Sequence, residues 1–141
     1  MITIIIIERK RSMLKNSRQR DAILSSLCSR KDHPTAEQLF LDLKGEYPAL
    51  SLATVYRNLK LLENEGKLIK FHSEAGDRFD ADTSEHYHFT CRSCKKIIDL
   101  RPEKDGELCT LFKDFEGEIY SCNLQLFGLC PECKKRSETI L

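Results

Sequence analysis

Two Cys-x-x-Cys pairs, Cys91/Cys94 and Cys130/Cys133, are the strongest chemical signal in the chain. Each pair makes a tight knuckle that offers both sulfurs to one side, so together they can surround one tetrahedral Zn2+. The 35 residues between the pairs exceed the loop of an ordinary zinc ribbon and must contain further elements. A thioredoxin-like dithiol is the rival for either pair alone, but two pairs without a βαβ pattern favour the metal. Such a site is expected to serve folding, because metal binding energy becomes folding energy where the core is small. Cys28, Cys109 and Cys122 are unpaired by spacing, and each is expected to be a small buried hydrophobe.

The stretch EHYHFTCRSC, residues 85–94, adds His86 and His88 beside the first knuckle. Residues two apart on a strand share a face, so the two imidazoles can bind one ion together. Asp80 lies six residues before His86, and Asp99 eleven after His88. Each of these residues alone would be an ordinary solvated side chain. Together they suggest a mixed nitrogen and oxygen site that suits Fe2+, Mn2+ or Zn2+ and leaves a coordination position open.

The elements that must carry these residues can be traced along the chain. SRQRDAILSSLC, residues 17–28, has an apolar helical face at Ile23, Leu24 and Leu27. In HPTAEQLFLDLK, Thr35 and Gln38 form a capping-box pattern behind Pro34, with Leu39, Phe40 and Leu43 facing inward. A third helix opens at Ser51, buries Val55, Leu59 and Leu62, and stops at Gly66. Two short strands then flank Glu74-Ala75-Gly76 as a hairpin. Three helices and a hairpin describe a winged helix-turn-helix, with Arg57 and Lys60 on the exposed side of its third helix. Beyond residue 82, strands are expected at His88–Thr90, Lys96–Leu100 and Tyr120–Phe127. A short helix is expected to carry Leu108, Leu111, Phe112 and Phe115 between Gly106 and Gly117.

Composition suits a soluble globular protein rather than a disordered one, with 40% of the 141 residues hydrophobic and 32% charged, and the traced elements make the expected fold class α+β. The net charge of +1 is unevenly spread, with 13 Lys/Arg against 8 Asp/Glu in residues 1–72 and 10 against 14 thereafter. A basic first half and an acidic second half fit a polyanion-binding module joined to a cation-binding one. The apolar run Ile2–Ile7 has no basic segment before it and no cleavage site after it, and is too short to span a membrane. The run is expected to be either an added strand or the result of a start codon called early, with Met13 the natural start. Clustered cysteines without a secretory signal point to a reducing, cytoplasmic location.

HPTAEQLF, SLATVYRNLKLLENEG, RFDADTSEHYHFTCRSCKKIIDL and LFGLCPEC, in that order, resemble the ferric-uptake-regulator family of metal-dependent repressors. The resemblance runs from Lys15 to about Lys135. It implies a winged-helix DNA-binding domain at residues 13–82 and a small α/β dimerisation and metal-binding domain at 83–141, preceded by an extension at 1–12. It further implies a homodimer on a palindromic double-stranded DNA operator, with one structural Zn2+ and one regulatory Fe2+ or Mn2+ per chain. Within the family, peroxide-sensing members use three histidines and two aspartates. The matching positions here are His33, Asp80, His86, His88 and Asp99. Iron- and zinc-sensing members carry Glu or extra His at several of these places, whereas this chain has four histidines in all.

The expected function is therefore a repressor, not an enzyme. It would respond to H2O2 through Fe2+-catalysed oxidation of His33 or His86, with Mn2+ a poor catalyst of that step. Tyr56 and Arg57 are the expected base contacts, and Lys60, Arg18 and Arg20 the expected phosphate contacts. His72 matches no ligand position and is expected at the surface or a hinge. An iron-responsive repressor that reads only Fe2+ occupancy is the alternative. A zinc-dependent hydrolase is disfavoured, because no Glu or Ser stands as an obvious base or nucleophile.

Overall fold

The structure, a computed structural model, describes residues 18–104, 108–120, 122 and 124–139, with the backbone alone at 108 and 109. The run Ile2–Ile7, Met13 and the side chain of Cys109 lie outside the described residues. The chain divides into two compact units between Thr83 and Ser84.

Capping residues fix the helices of the first unit. Helix α1 covers 18–28. Helix α2, Ala36–Lys44, begins at Thr35, whose hydroxyl accepts from the Gln38 amide at 3.3 Å while the Gln38 side chain accepts from the Thr35 amide at 2.9 Å. Two of the otherwise unpaired donors at the start of the helix are thereby satisfied. Helix α3, Leu52–Asn64, is capped by Ser51, which accepts from the Thr54 amide at 3.1 Å. It ends on Gly66, whose φ of +70° lets Lys67 N–H reach the Leu62 carbonyl at 3.0 Å. Strands β1 (Ile69–Ser73) and β2 (Gly76–Asp80) pair antiparallel, with Ser73 opposite Gly76 across a two-residue turn. Ile23, Leu27, Leu39, Leu43, Val55, Leu59, Leu62, Leu68 and Phe79 form one buried cluster. At about 1.5–3 kcal/mol for each fully buried side chain, packing alone can hold this winged helix.

The second unit is built differently. Strand β3 (Tyr87–Cys91) lies between β4 (Ile97–Leu100), antiparallel to it, and β5 (Gln125–Gly128), parallel to it. A parallel neighbour needs a long crossover, which the stretch between the cysteine pairs supplies. Helix α4, Pro131–Thr139, follows β5 directly, with proline at its first position where no amide is needed. The buried set here is Cys91, Cys130 and Cys133, with Phe89 and Ile98 packed half-buried against them. Among the described residues no helix is long and apolar enough to cross a membrane.

Several expectations are corrected. The helix expected to carry Leu108 to Phe115 is a single 3-10 turn, Leu108–Leu111, and Leu111, Phe112 and Phe115 are exposed. A segment this short cannot sustain an α-helix without a surface to pack on. The last strand begins at Gln125, and Tyr120 is 88% exposed rather than part of it. Phe40 is half-buried at the edge of the core. Cys28 and Cys122 are exposed, not buried. Cys28 follows Leu27 on α1, so it points about 100° away from the buried face. His72, by contrast, is at the surface as expected: it lies within β1, faces solvent and pairs with Asp77 at 3.0 Å.

Candidate metal centres and nucleic-acid interface

Strand register brings the cysteine pairs together. Cys91 ends β3 and stands opposite Gly128 of β5, so the second pair begins two residues beyond the first pair's strand partner. The close approach depends on Gly128, where a Cβ would stand 3.3 Å from the Phe89 ring. The Arg92 amide donates to the Gly128 carbonyl at 2.7 Å, and the Cys130 amide donates to Cys91 Sγ at 3.3 Å. The first knuckle closes through Lys95, whose φ of +64° lets its amide reach the Cys91 carbonyl at 2.9 Å. The four Sγ atoms of Cys91, Cys94, Cys130 and Cys133 all lie within 4.8 Å of one another. Four Zn–S bonds of about 2.3 Å in a tetrahedron set sulfurs about 3.8 Å apart. Cys94 and Cys130 stand at 3.8 Å, so the donor set fits zinc. Backbone amides of Cys130, Cys94 and Ser93 lower the Cys91 thiol to about 6, which favours the thiolate that a metal needs. Arg136, one turn beyond Cys133 on α4, donates to its sulfur at 3.8 Å. The sequence reading missed Arg136, although a basic residue three after a ligand cysteine on a helix is a legible signal.

A second cluster in the same unit has nitrogen and oxygen donors. His88 on β3 stands directly opposite Asp99 on β4. His86 immediately precedes β3 and, two residues from His88, shares its face. Their Nε2 atoms approach to 3.1 Å, and Asp99 Oδ1 lies 3.8 Å from His86 Nε2 and 3.6 Å from His88 Nε2. Adjacent ligands of one ion at about 2.1 Å stand about 3 Å apart. The converging nitrogens and carboxylate therefore fit a divalent ion. His86 Nδ1 lies 2.8 Å from the Ser84 carbonyl, a contact that assigns the proton to Nδ1 and leaves Nε2 as the ligating atom.

In the first unit, His33 and Asp80 form a buried pair, with His33 Nδ1 3.5 Å from Asp80 Oδ2. The other carboxylate oxygen, Oδ1, accepts from the Asp82 amide at 2.9 Å, which orients Asp80. His33 is 2% exposed and sits in the left-handed region at φ +50°, directly before Pro34. A non-glycine residue at such a backbone position is uncommon and concentrates at functional sites.

On the winged helix, Tyr56, Arg57 and Lys60 lie on the exposed side of α3, and Arg18 is exposed on α1. Tyr56 donates its hydroxyl to Glu37 at 2.6 Å, which raises the tyrosine and lowers the carboxylate. Lys60 pairs with Glu63 at 3.2 Å, and Lys70 of β1 approaches the same carboxylate at 3.9 Å. Arg20 is half-buried and donates Nε to Asn58 at 3.3 Å, so part of its guanidinium serves the α1–α3 packing. Asn58 itself is 1% exposed, a buried polar residue that helical periodicity did not flag.

The ferric uptake regulator family model matches residues 11–127, and the chain belongs to that family. Among curated proteins, the peroxide operon regulator of Bacillus subtilis is 37% identical over 120 residues, 84% of this chain and 83% of that protein. The peroxide-responsive repressor of Staphylococcus epidermidis is 34% identical over 121 residues, 83% of this chain and 79% of that protein. Among solved structures, the Campylobacter jejuni peroxide stress regulator superposes with a TM-score of 0.74 at 30% identity, covering 91% of this chain and 98% of that one. The Helicobacter pylori ferric uptake regulator, described as having three functional metal-binding sites, gives 0.72 at 26% identity, covering 95% and 94%.

Proposed function

We propose that the protein is a metal-dependent, DNA-binding transcriptional repressor that senses hydrogen peroxide. The observation that carries this reading is the donor set. His86 and His88 turn their Nε2 atoms toward each other at 3.1 Å beside Asp99, and His33 and Asp80 form a matching buried pair. The three-histidine, two-aspartate set that the family resemblance implies takes one group from each unit. All five residues are therefore assigned to one regulatory Fe2+ or Mn2+. The likeness to peroxide regulators of Bacillus subtilis and Campylobacter jejuni supports the same reading. It also favours regulation over catalysis.

In this reading residues 13–82 bind DNA, residues 83–141 dimerise and hold metal, and residues 1–12 extend beyond both. Cys91, Cys94, Cys130 and Cys133 hold a structural zinc. The exposed Leu111, Phe112, Phe115, Ile119 and Leu129 give the second unit apolar surface suited to a homodimer. Tyr56 and Arg57 contact bases, while Lys60, Arg18 and Arg20 contact phosphates of a palindromic operator in the cytoplasm. A ligand set drawn from both units makes metal and DNA select one arrangement of the dimer, so each tightens the other.

Fe2+, when bound, supplies the chemistry by which H2O2 converts a ligating imidazole C–H to C–O, the second peroxide oxygen leaving as water. The oxidised side chain of His33 or His86 is then a weaker ligand, and repression is relieved. The cysteines have a different task, since sulfurs committed to zinc are less available as nucleophiles. Mass spectrometry of the Fe2+-loaded protein after brief anaerobic exposure to peroxide tests this directly. One added oxygen is expected on the peptide bearing His33 or the peptide bearing His86. Oxygen found on cysteines alone would overturn the histidine mechanism and leave an iron-occupancy sensor as the better reading.

A further inference from the structure

We infer that Arg78 is a positioning residue for the regulatory metal, holding His33 in its ligating conformation and joining it to the wing. The inference rests on reading His33 and Asp80 as metal ligands. His33 occupies the left-handed region at φ +50°, a backbone state that a β-substituted residue before proline adopts only when its surroundings impose it. Arg78 supplies that constraint. Its Nη1 donates to the His33 carbonyl at 2.9 Å, across 45 residues of sequence.

The guanidinium is itself fixed at its other edge. Arg78 Nε donates to Ser73 Oγ at 3.1 Å, and the Ser73 hydroxyl donates to the Gly76 carbonyl at 2.8 Å. The planar fork of arginine is thus spread between the hairpin turn and the ligand's backbone, a geometry that a lysine ammonium cannot reproduce. The neighbouring contacts run the same way. Arg78 forms a bridge with Thr35, and the Phe79 amide donates to the Pro34 carbonyl at 3.1 Å. The His33 ring packs edge-on against Phe71 at 5.5 Å and faces Asp80. Each of these partners belongs to the β1–β2 hairpin. His33 therefore moves with the wing, although it precedes the wing by some 36 residues in sequence. Metal held by His33 and Asp80 is thereby tied to the β1–β2 hairpin, directly through Asp80 and through Arg78 at the His33 backbone.

Arg30 supplies the control. It pairs with Asp32, the residue before His33, at 2.5 Å and with Asp42 of α2 at 2.6 Å, both contacts bypassing the His33 carbonyl. The test titrates Mn2+ into the full-length, zinc-containing protein and follows amide hydrogen exchange of the hairpin. Arg78→Ala is expected to weaken Mn2+ binding about tenfold or more, the size seen when a residue supporting a ligand is removed. Arg78→Lys is expected to fall between it and the parent, and Arg30→Ala to match the parent. Mn2+ is also expected to slow exchange across Ile69–Asp80 in the parent and no longer in Arg78→Ala, a readout that a purely structural role would leave in place. Parental Mn2+ affinity in Arg78→Ala, with affinity lost in Asp80→Ala, would overturn the inference. Parental affinity in Asp80→Ala as well would instead overturn the ligand assignment beneath it. Should Arg78→Ala fail to fold, Arg78→Lys decides, and parental affinity with parental slowing in that variant refutes the role.

Discussion

Cys130→Ser is expected to abolish stoichiometric zinc and, with it, the fixed structure of the second unit. The reason lies in how little else among the described residues holds that unit. Its buried cluster consists of Cys91, Cys130 and Cys133, supported by the half-buried Phe89 and Ile98. The first unit, by contrast, has eleven buried hydrophobic residues in one cluster. A structural zinc contributes on the order of 10 kcal/mol or more to folding in small domains, which exceeds the whole stability of most of them. Cys130 is also the hub of the site, since its amide donates to Cys91 Sγ at 3.3 Å and its sulfur lies 3.8 Å from Cys94. Zinc content, together with the thermal transition of the full chain, reads the effect. Cys122→Ser serves as the control, because Cys122 is exposed, and its cost should stay within about 0.5 kcal/mol. A Cys130→Ser protein with one zinc per chain and the parental transition would refute the structural role.

His86→Ala is expected to leave zinc and fold intact while weakening Mn2+ by about 100-fold or more, beyond the loss seen for residues that merely support ligands. The side chain is fully buried in this structure, with Nδ1 against the Ser84 carbonyl and Nε2 3.1 Å from His88 Nε2. Its removal takes away a ligating nitrogen that was already oriented. DNA affinity at micromolar Mn2+ should fall in step, because linked equilibria share one coupling free energy. His72→Ala, which removes an exposed partner of Asp77, should change neither. Isothermal titration with Mn2+ and a DNA-binding isotherm at fixed metal separate the two effects. Unchanged DNA binding in His86→Ala would mean that the second unit holds only the zinc and a dimer contact.

Local rules carried much of the fold. The Thr35/Gln38 box, the Ser51 cap and the Gly66 stop are short-range devices, and each appears in the structure as its residues suggest. The inward face of α3 follows from helical spacing, and the cysteine knuckles from ligand chemistry. What spacing could not reveal was long-range. Nothing in the separation of the cysteine pairs says that β5 runs parallel to β3, yet that pairing sets Cys130 beside Cys91. Nor does any local pattern announce the left-handed backbone of His33 or the Arg78 contact that accompanies it. The apolar residues between Leu111 and Tyr120 misled for a related reason. Their spacing resembles a buried helix face, but most of them are exposed in a single chain. Periodicity marks an apolar face but does not say whether a surface stands ready to pack on it.

In the proposed mechanism, repression depends on a metal whose ligand set peroxide destroys. The most direct measurement is fluorescence anisotropy of a labelled duplex, selected by the Mn2+-loaded protein from a random-sequence pool. Binding by Fe2+-loaded and Mn2+-loaded protein is compared before and after a brief anaerobic pulse of H2O2. The Fe2+ form should lose binding, and neither fresh Fe2+ nor a thiol reductant should restore it, while the Mn2+ form keeps its affinity. Undiminished binding by the Fe2+ form after peroxide, or full recovery on adding thiol, would contradict the account.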